Sequence, residues 1–408
     1  MTKASVRREA LIIVLFSTTI TANYLYMSEF PTGQAHWAPW NLLLLAALSG
    51  LILMARMRIL PFPRRASTPV LLWMMFALAA LGSAILHAAG QAQALWYLLG
   101  VPMLFMNMLP LLFRGRGSLI IACSVVLAFL ALVGLSLALE PLRFGIPYCG
   151  ILSNQIHMGQ VSAMAVAATL GLLGGALSCG KASRRAAIVL SILLLFALLM
   201  AMTTVYRTAV ATSLLLVIIF TIANYKRAVR LMRVYAALAV ILLALGAGAS
   251  LSSYGESLRV WEALVEKQQR RTEGPGGGVT SYRDEQARAT IANMRLFGYG
   301  VDKDPREYLN TTINYHSAYT RVLGQYGIPA ALCFIGFWIT SIICTRKYIR
   351  ATRDVDPYNH APLLLVLFFA IFTLGSQVMP QWLTGPMFPV LTSVGVAVMH
   401  DAVQHHQG

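Results

Sequence analysis

Charge is scarce in this 408-residue chain: 12% of the residues are Asp, Glu, Lys or Arg, against 58% hydrophobic. A water-soluble protein of this length needs far more polar surface, so a soluble enzyme is excluded. Acidic residues are scarcer still, 15 against 32 basic ones. None falls well inside an apolar stretch; Glu29, Glu140 and Asp354 all lie in connections. Ion-coupled carriers usually depend on a carboxylate held within the membrane, so this lack weakens a transporter reading. Cysteines number five (123, 149, 179, 333 and 344), and only Cys149 falls on the outer side of the topology below. No exported disulfide pair is therefore expected. No internal repeat is evident. No small-x-small cleavage site follows the first apolar stretch at Asn23-Tyr24-Leu25-Tyr26-Met27, so that stretch is expected to stay as a span.

Long apolar runs fill the chain instead, and the mean hydropathy is +0.67. They lie at 10–27, 38–55, 68–89, 92–113, 118–139, 156–178, 186–203, 207–223, 234–252, 317–345, 361–379 and 384–400. Each is long enough to cross a hydrocarbon core of about 30 Å. Their unbroken apolarity argues against a transmembrane barrel, whose strands alternate apolar and polar residues. The expected fold class is all-α: a polytopic integral membrane protein of about 12 transmembrane helices, one transmembrane domain over 1–408.

The net charge of +17 invites a nucleic-acid reading, but the placement of the charges does not. Every second connection is basic: Lys3/Arg7/Arg8, Arg56/Arg58/Arg64/Arg65, Arg114/Arg116, Lys181/Arg184/Arg185, Lys226/Arg227/Arg230/Arg233 and Arg346/Lys347/Arg350/Arg353. Together they hold 20 of the 32 basic residues. Short basic loops stay cytoplasmic, so both termini are expected inside and the alternate loops outside.

One outward connection is long, about 253–316, between the ninth and tenth spans. It carries nine basic and nine acidic residues, unlike the cytoplasmic loops. A structureless loop of that length would be unusual, and such loops tend to carry function. Two helices are expected in it. Glu256–Arg271 places Leu258, Trp261, Leu264 and Val265 on one stripe, suited to lying on an apolar surface. The second starts at Ser281 as N-cap and runs to about Phe297, where Gly298 and Gly300 end it. Between them, Thr272–Thr280 holds four glycines and a proline. It lacks the spacing and the preceding strand of a phosphate loop and reads as a hinge.

Four places could carry chemistry. His316 opens the tenth span at the end of the exported loop, with Gly324 and Gly327 following on the same predicted helix to admit a close backbone. Neutral imidazole accepts a proton at neutral pH, although a lone interfacial His is often only packed. Arg207 starts the eighth span after a tight outer turn, either snorkelling to the interface or clamping a phosphate. Arg283, in the first turn of the second loop helix, combines a guanidinium with free backbone N–H groups, unless Asp284 and Glu285 neutralise it. Arg288 stands about 140° round that helix, so the two arginines do not share one face. Asp302-Lys303-Asp304 matches a short metal-binding pattern, but no nucleotide-binding domain surrounds it; neither metal nor other cofactor is expected.

In order and topology these features resemble the O-antigen ligase family, related to O-antigen polymerases and protein O-oligosaccharyltransferases. The family motif H-[NSQ]-x9-G-x-x-[GTY] reads here His316-Ser317, nine residues, Gly327-Ile328-Pro329-Ala330, with Ala at the last position. Leu296-Phe297-Gly298-Tyr299-Gly300 resembles the family's G-x-G stretch upstream of the histidine. Ser153-Asn154-Gln155-Ile156-His157-Met158-Gly159 resembles the segment opening the sixth span. Polymerases usually carry two large loops with R-x10-G; residue 294, eleven after Arg283, is Met. The resemblance implies a GT-C-like glycosyltransferase of the bacterial inner membrane. Its donor would be O-antigen polysaccharide on undecaprenyl diphosphate, and its acceptor the lipid A–core. His316 would act as general base and Arg207 and Arg283 would hold the diphosphate, with inversion and without metal. Arg288, Arg321, Tyr148, Asn154 and His157 are possible secondary residues. A polymerase of lipid-linked repeats and a twelve-span lipid or solute transporter are the alternatives.

Overall fold

A computed structural model describes residues 3–27, 68–88, 116–139, 148–152, 154–178, 184–204, 206–224, 240, 281–301, 317–375 and 389–398. Among them are helices and turns, and no strand. In chain order they are α1 Lys3–Met27, α2 Thr68–Leu86, α3 Gly117–Leu139, α4 Gln155–Ser178, α5 Arg184–Thr203 and α6 Arg207–Ala223. There follow α7 Ser281–Ala292, α8 Ala318–Tyr326, α9 Ile328–Ala351, α10 His360–Phe372 and α11 Pro389–Val398. Five are long and apolar enough to cross a membrane: α2, α3, α4, Arg185–Thr203 of α5, and α9. The expected spans at 38–55, 92–113 and 234–252 lie outside the described residues, as do the loop helix at 256–271 and the glycine run.

Two boundaries differ from expectation. The span placed at 317–345 is two helices, α8 and α9, parted at Gly327, which has φ +88. The loop helix ends at Ala292, not near Phe297. Past that end, Asn293 gives Ala289 O both its backbone N–H at 3.0 Å and its side-chain amide at 2.9 Å, and Tyr299 OH donates to Asn293 O at 2.9 Å.

Helix α4 is the centre of the bundle, packed by α3, α5, α6 and α10. Its sequence explains why. Lipid chains are as apolar as side chains, so membrane helices associate by close packing, and small residues permit it. A Cβ on Gly171 would lie 2.5 Å from Ala361 Cβ and 2.6 Å from Ala361 Cα. One on Gly174 would meet the Phe220 ring at 3.0 Å, and one on Gly175 would strike the Tyr358 ring. Helix α2 packs instead on α9 through aromatic rings. Trp73 meets Phe337 edge-on at 4.8 Å and Phe76 meets Phe334 at 5.3 Å. Trp338 carries the contact to Phe369 of α10 at 5.4 Å. Such pairs contribute about 0.5–1.5 kcal/mol each beyond area burial.

The helix ends sort into two groups. At one end Glu9 of α1 pairs with Arg116, just before α3, at 3.1 Å. There too Ser118 Oγ lies 3.0 Å from Tyr348 OH, which donates to Asp356 Oδ2 at 2.9 Å. Arg346, Lys347, Arg350 and Arg353 belong to this end, which we call the basic end. The far end gathers the C-termini of α2, α5 and α10 and the N-termini of α4, α6 and α8.

Candidate functional site

At the far end, the segments opening α6 and α8 both bond to the chain where α10 runs out. The last carbonyls of a helix lack partners within it and must find them elsewhere. Thr373 O accepts from Ala318 N at 3.0 Å and Ser317 Oγ at 3.3 Å. Two residues on, Gly375 O accepts from Thr208 Oγ1 at 3.0 Å, with Tyr206 OH at 3.5 Å. Tyr319 OH donates to Ala370 O at 3.1 Å. The segment opening α6 and the segment opening α8 are thus fastened to the same helix end. Arg207 is the first residue of α6 and sits between the two residues that reach Gly375; its side chain is partly buried. Ser317 caps α8, accepting from Tyr319 N at 3.3 Å. His316 lies outside the described residues.

Helix N-termini carry about half a positive elementary charge each. Those of α6 and α8 are both tied to the chain leaving α10, and Arg207 is the first residue of α6. Helix α4 adds a third: a Cβ on Gly159 would lie 3.0 Å from Ala209 Cβ and 3.2 Å from Thr204 Oγ1. This is an environment for a negatively charged group.

The glycines of the sequence motifs form one joint. Residues 295–300 lie along the α8–α9 junction: Tyr299 N donates to Gly324 O at 2.9 Å, Gly300 N to Gln325 O at 3.1 Å, and Ile328 N to Arg295 O at 3.3 Å. Gly298 has φ +67, and its Cβ would be 2.4 Å from Gln325 O. A Cβ on Gly327 would fall within 2.6 Å of Gly298 N and closer still to Leu296 O. A side chain at either position meets backbone, which cannot step aside. Gly324 and Gly327 do admit a close backbone, as expected, but they do so at a helix break and not along one helix.

The other residues singled out in the sequence have assignable places. Tyr148 is buried, its N–H donating to Thr203 O at 3.0 Å. Asn154 starts α4, its Oδ1 accepting from Ile156 N at 2.8 Å. His157 is partly buried one turn into α4. Arg321 Nε donates to Gln325 Oε1 at 3.1 Å, a bond within α8. Arg283 occupies the first turn of α7, and its side chain lies outside the description; Arg288 is exposed. Among the described residues no three His, Cys, Asp or Glu come together, and Asp302-Lys303-Asp304 lies outside them.

Sequence reasoning missed three polar residues. Ser83 Oγ donates to Phe297 O at 2.6 Å, and His87 Nε2 lies 3.2 Å from Gly298 O, tying α2 to the joint. Gln160 in α4 is wholly buried, with no hydrogen-bond partner for its amide among the described residues. A buried unpaired amide costs about 1–3 kcal/mol. The signal for Gln160 was available: it is a glutamine inside an apolar run.

Compared with known proteins, residues 192–335 match the family model described as O-antigen ligase. The matched stretch takes in α6, α7, α8 and the motif from Ser317 to Ala330. No curated protein matches the chain.

Proposed function

From the match of residues 192–335 to the O-antigen ligase family model, we propose that this chain joins O-antigen polysaccharide to the lipid A–core. The coarse reading, a membrane glycosyltransferase of the ligase and polymerase type acting on lipid-linked polysaccharide, follows from the family. The specific reaction is our proposal. The donor is polysaccharide on undecaprenyl diphosphate, and the far end faces the periplasm. There no nucleotide is at hand, and the diphosphate ester supplies the driving force.

His316 takes the proton of an acceptor hydroxyl as that oxygen attacks the anomeric carbon of the donor. The bond from the anomeric carbon to the diphosphate oxygen breaks, and undecaprenyl diphosphate leaves. Direct displacement inverts the configuration. Arg207 and Arg283 hold the departing anion; preorganised charge of this kind is often the largest catalytic contribution. Of the two loop arginines we take Arg283. Gln286 and Thr290 make the buried face of α7, and Arg288 stands exposed. Position 283 is three residues from Gln286, a spacing that shares a face.

One observation carries the reading. Thr208, next to Arg207, and Ser317, next to His316, bind carbonyls two residues apart just past the end of α10. Segments more than a hundred residues apart in sequence are thereby held side by side, which helix packing alone does not require. The test combines purified protein, lipid-linked O-antigen and core acceptor. Ligated lipopolysaccharide is expected from the native chain and not from His316→Ala. Chain lengthening without use of the core would instead mark a polymerase, and uptake or flipping with no covalent product a transporter.

A further inference from the structure

The end of α7 and the turn after it hold four large apolar side chains within seven residues, all exposed: Ile291 54%, Met294 51%, Leu296 57% and Phe297 44%. Single exposed apolar residues need no explanation, but a contiguous group marks an interaction surface. Its depth is fixed by hydrogen bonds. Phe297 O accepts from Ser83 Oγ, and Ser83 lies one residue short of a full turn inside the C-terminus of α2. Gly298 O lies against His87, just past that terminus. The turn therefore sits level with the last turn of a helix long and apolar enough to cross a membrane. That last turn exposes Ile85 and Leu86, so the two apolar groups occupy one depth.

The polar neighbours suit the same boundary. Arg288 and Arg295 are exposed, and the Arg295 guanidinium lies 4.3 Å from the Tyr299 ring centroid. Long basic side chains reach to headgroup phosphates from such a depth.

We propose that residues 291–297 are a membrane foot: Ile291, Met294, Leu296 and Phe297 enter the headgroup–acyl boundary of the leaflet at the far end, with Arg288 and Arg295 on lipid phosphates. The occupant is the phospholipid bilayer. Because the following residues bond to Gly324 O and Gln325 O, the foot fixes α7 and α8 at one height above the lipid. The proposal needs only that α2 crosses the bilayer, and its failure would leave the transfer reaction untouched.

The test is collision accessibility of spin labels on the full chain in nanodiscs of phosphatidylethanolamine and phosphatidylglycerol, with the five native cysteines replaced. Labels on Met294→Cys, Leu296→Cys and Phe297→Cys should favour oxygen over a water-soluble nickel chelate several-fold, as one on Leu86→Cys does. A label on Arg288→Cys should favour nickel. Nickel preference at all three apolar positions overturns the foot. A second measurement leaves the cysteines in place: benzoylphenylalanine at position 296 should crosslink to radiolabelled phospholipid, as it does at position 86. An adduct at 86 with none at 296 also overturns it.

Discussion

Single side chains give two contrasting predictions. Arg207 begins a helix at the end of the bundle where three helix N-termini converge, and its forked donors suit a diphosphate. Arg207→Ala should lower the transfer rate by about 10²–10³. Arg207→Lys should recover only part of it, because a point charge does not reproduce two parallel hydrogen bonds; full recovery in the purified assay would contradict a bidentate role. Asp356 lies at the basic end, in the turn between α9 and α10, and shows how burial acts without chemistry. Its carboxylate is buried, accepting from Tyr348 OH at 2.9 Å and Tyr358 N at 2.9 Å. Burial pushes its pKa above the ordinary value of 3.8, against the pull of those bonds. The folded chain thus holds the proton more tightly than the unfolded one. Its stabilising contribution is full below the unfolded value and is lost as pH rises through the folded one. Thermal unfolding in detergent should show the native chain losing stability relative to Asp356→Asn as pH rises from about 4 toward 7. A relative gain over that window would show that burial does not dominate.

Between elements, the joint of residues 295–300 with the α8–α9 junction deserves separate tests. Gly327→Ala forces a side chain into a positive φ and onto the Leu296 carbonyl. Strain and overpacking together should cost about 2–4 kcal/mol, read as a lowered unfolding midpoint. Gly298→Ala breaks the same joint from the other side, so the double variant should cost less than the two singles combined. Simple additivity would mean the two glycines serve separate structures. The motif itself was visible in the sequence, as glycines at fixed distances from His316. What was not visible is that they act on one another. A glycine in a string reports only that some backbone position needs it, and at Gly327 the need is a helix break that no run of apolar residues announces.

For the whole molecule, basic segments gather at one end of the described bundle, and the expected topology would set that end on the cytoplasmic side. Arg116 sits beside Glu9, and the turn with Asp356 sits beside Ser118. Reagent accessibility in oriented membranes should place cysteines at 353 and 185 on one side and cysteines at 285 and 288 on the other. Labelling of both sets from the same side would refute the assigned topology. Enlarging the centre should be felt across the bundle. Gly171→Val drives a branched side chain into the backbone of Ala361 and should dislodge α10 from α4. Since α10 supplies Thr373 and Gly375 to the site, transfer should fall together with thermal stability; loss of neither would mean α10 is held from elsewhere.

Membrane solubility is a sum over a contiguous window, since each apolar residue adds its own transfer free energy wherever its neighbours go. For that reason the string of residues alone established the helical class and the places of long apolar helices such as α2, α3, α4 and α5. Which helix lies at the centre, and which two distant segments share the carbonyls of α10, depends on complementary surfaces matching to within an ångström. That information resides in pairs of positions far apart along the chain, so it came into being only when the helices packed.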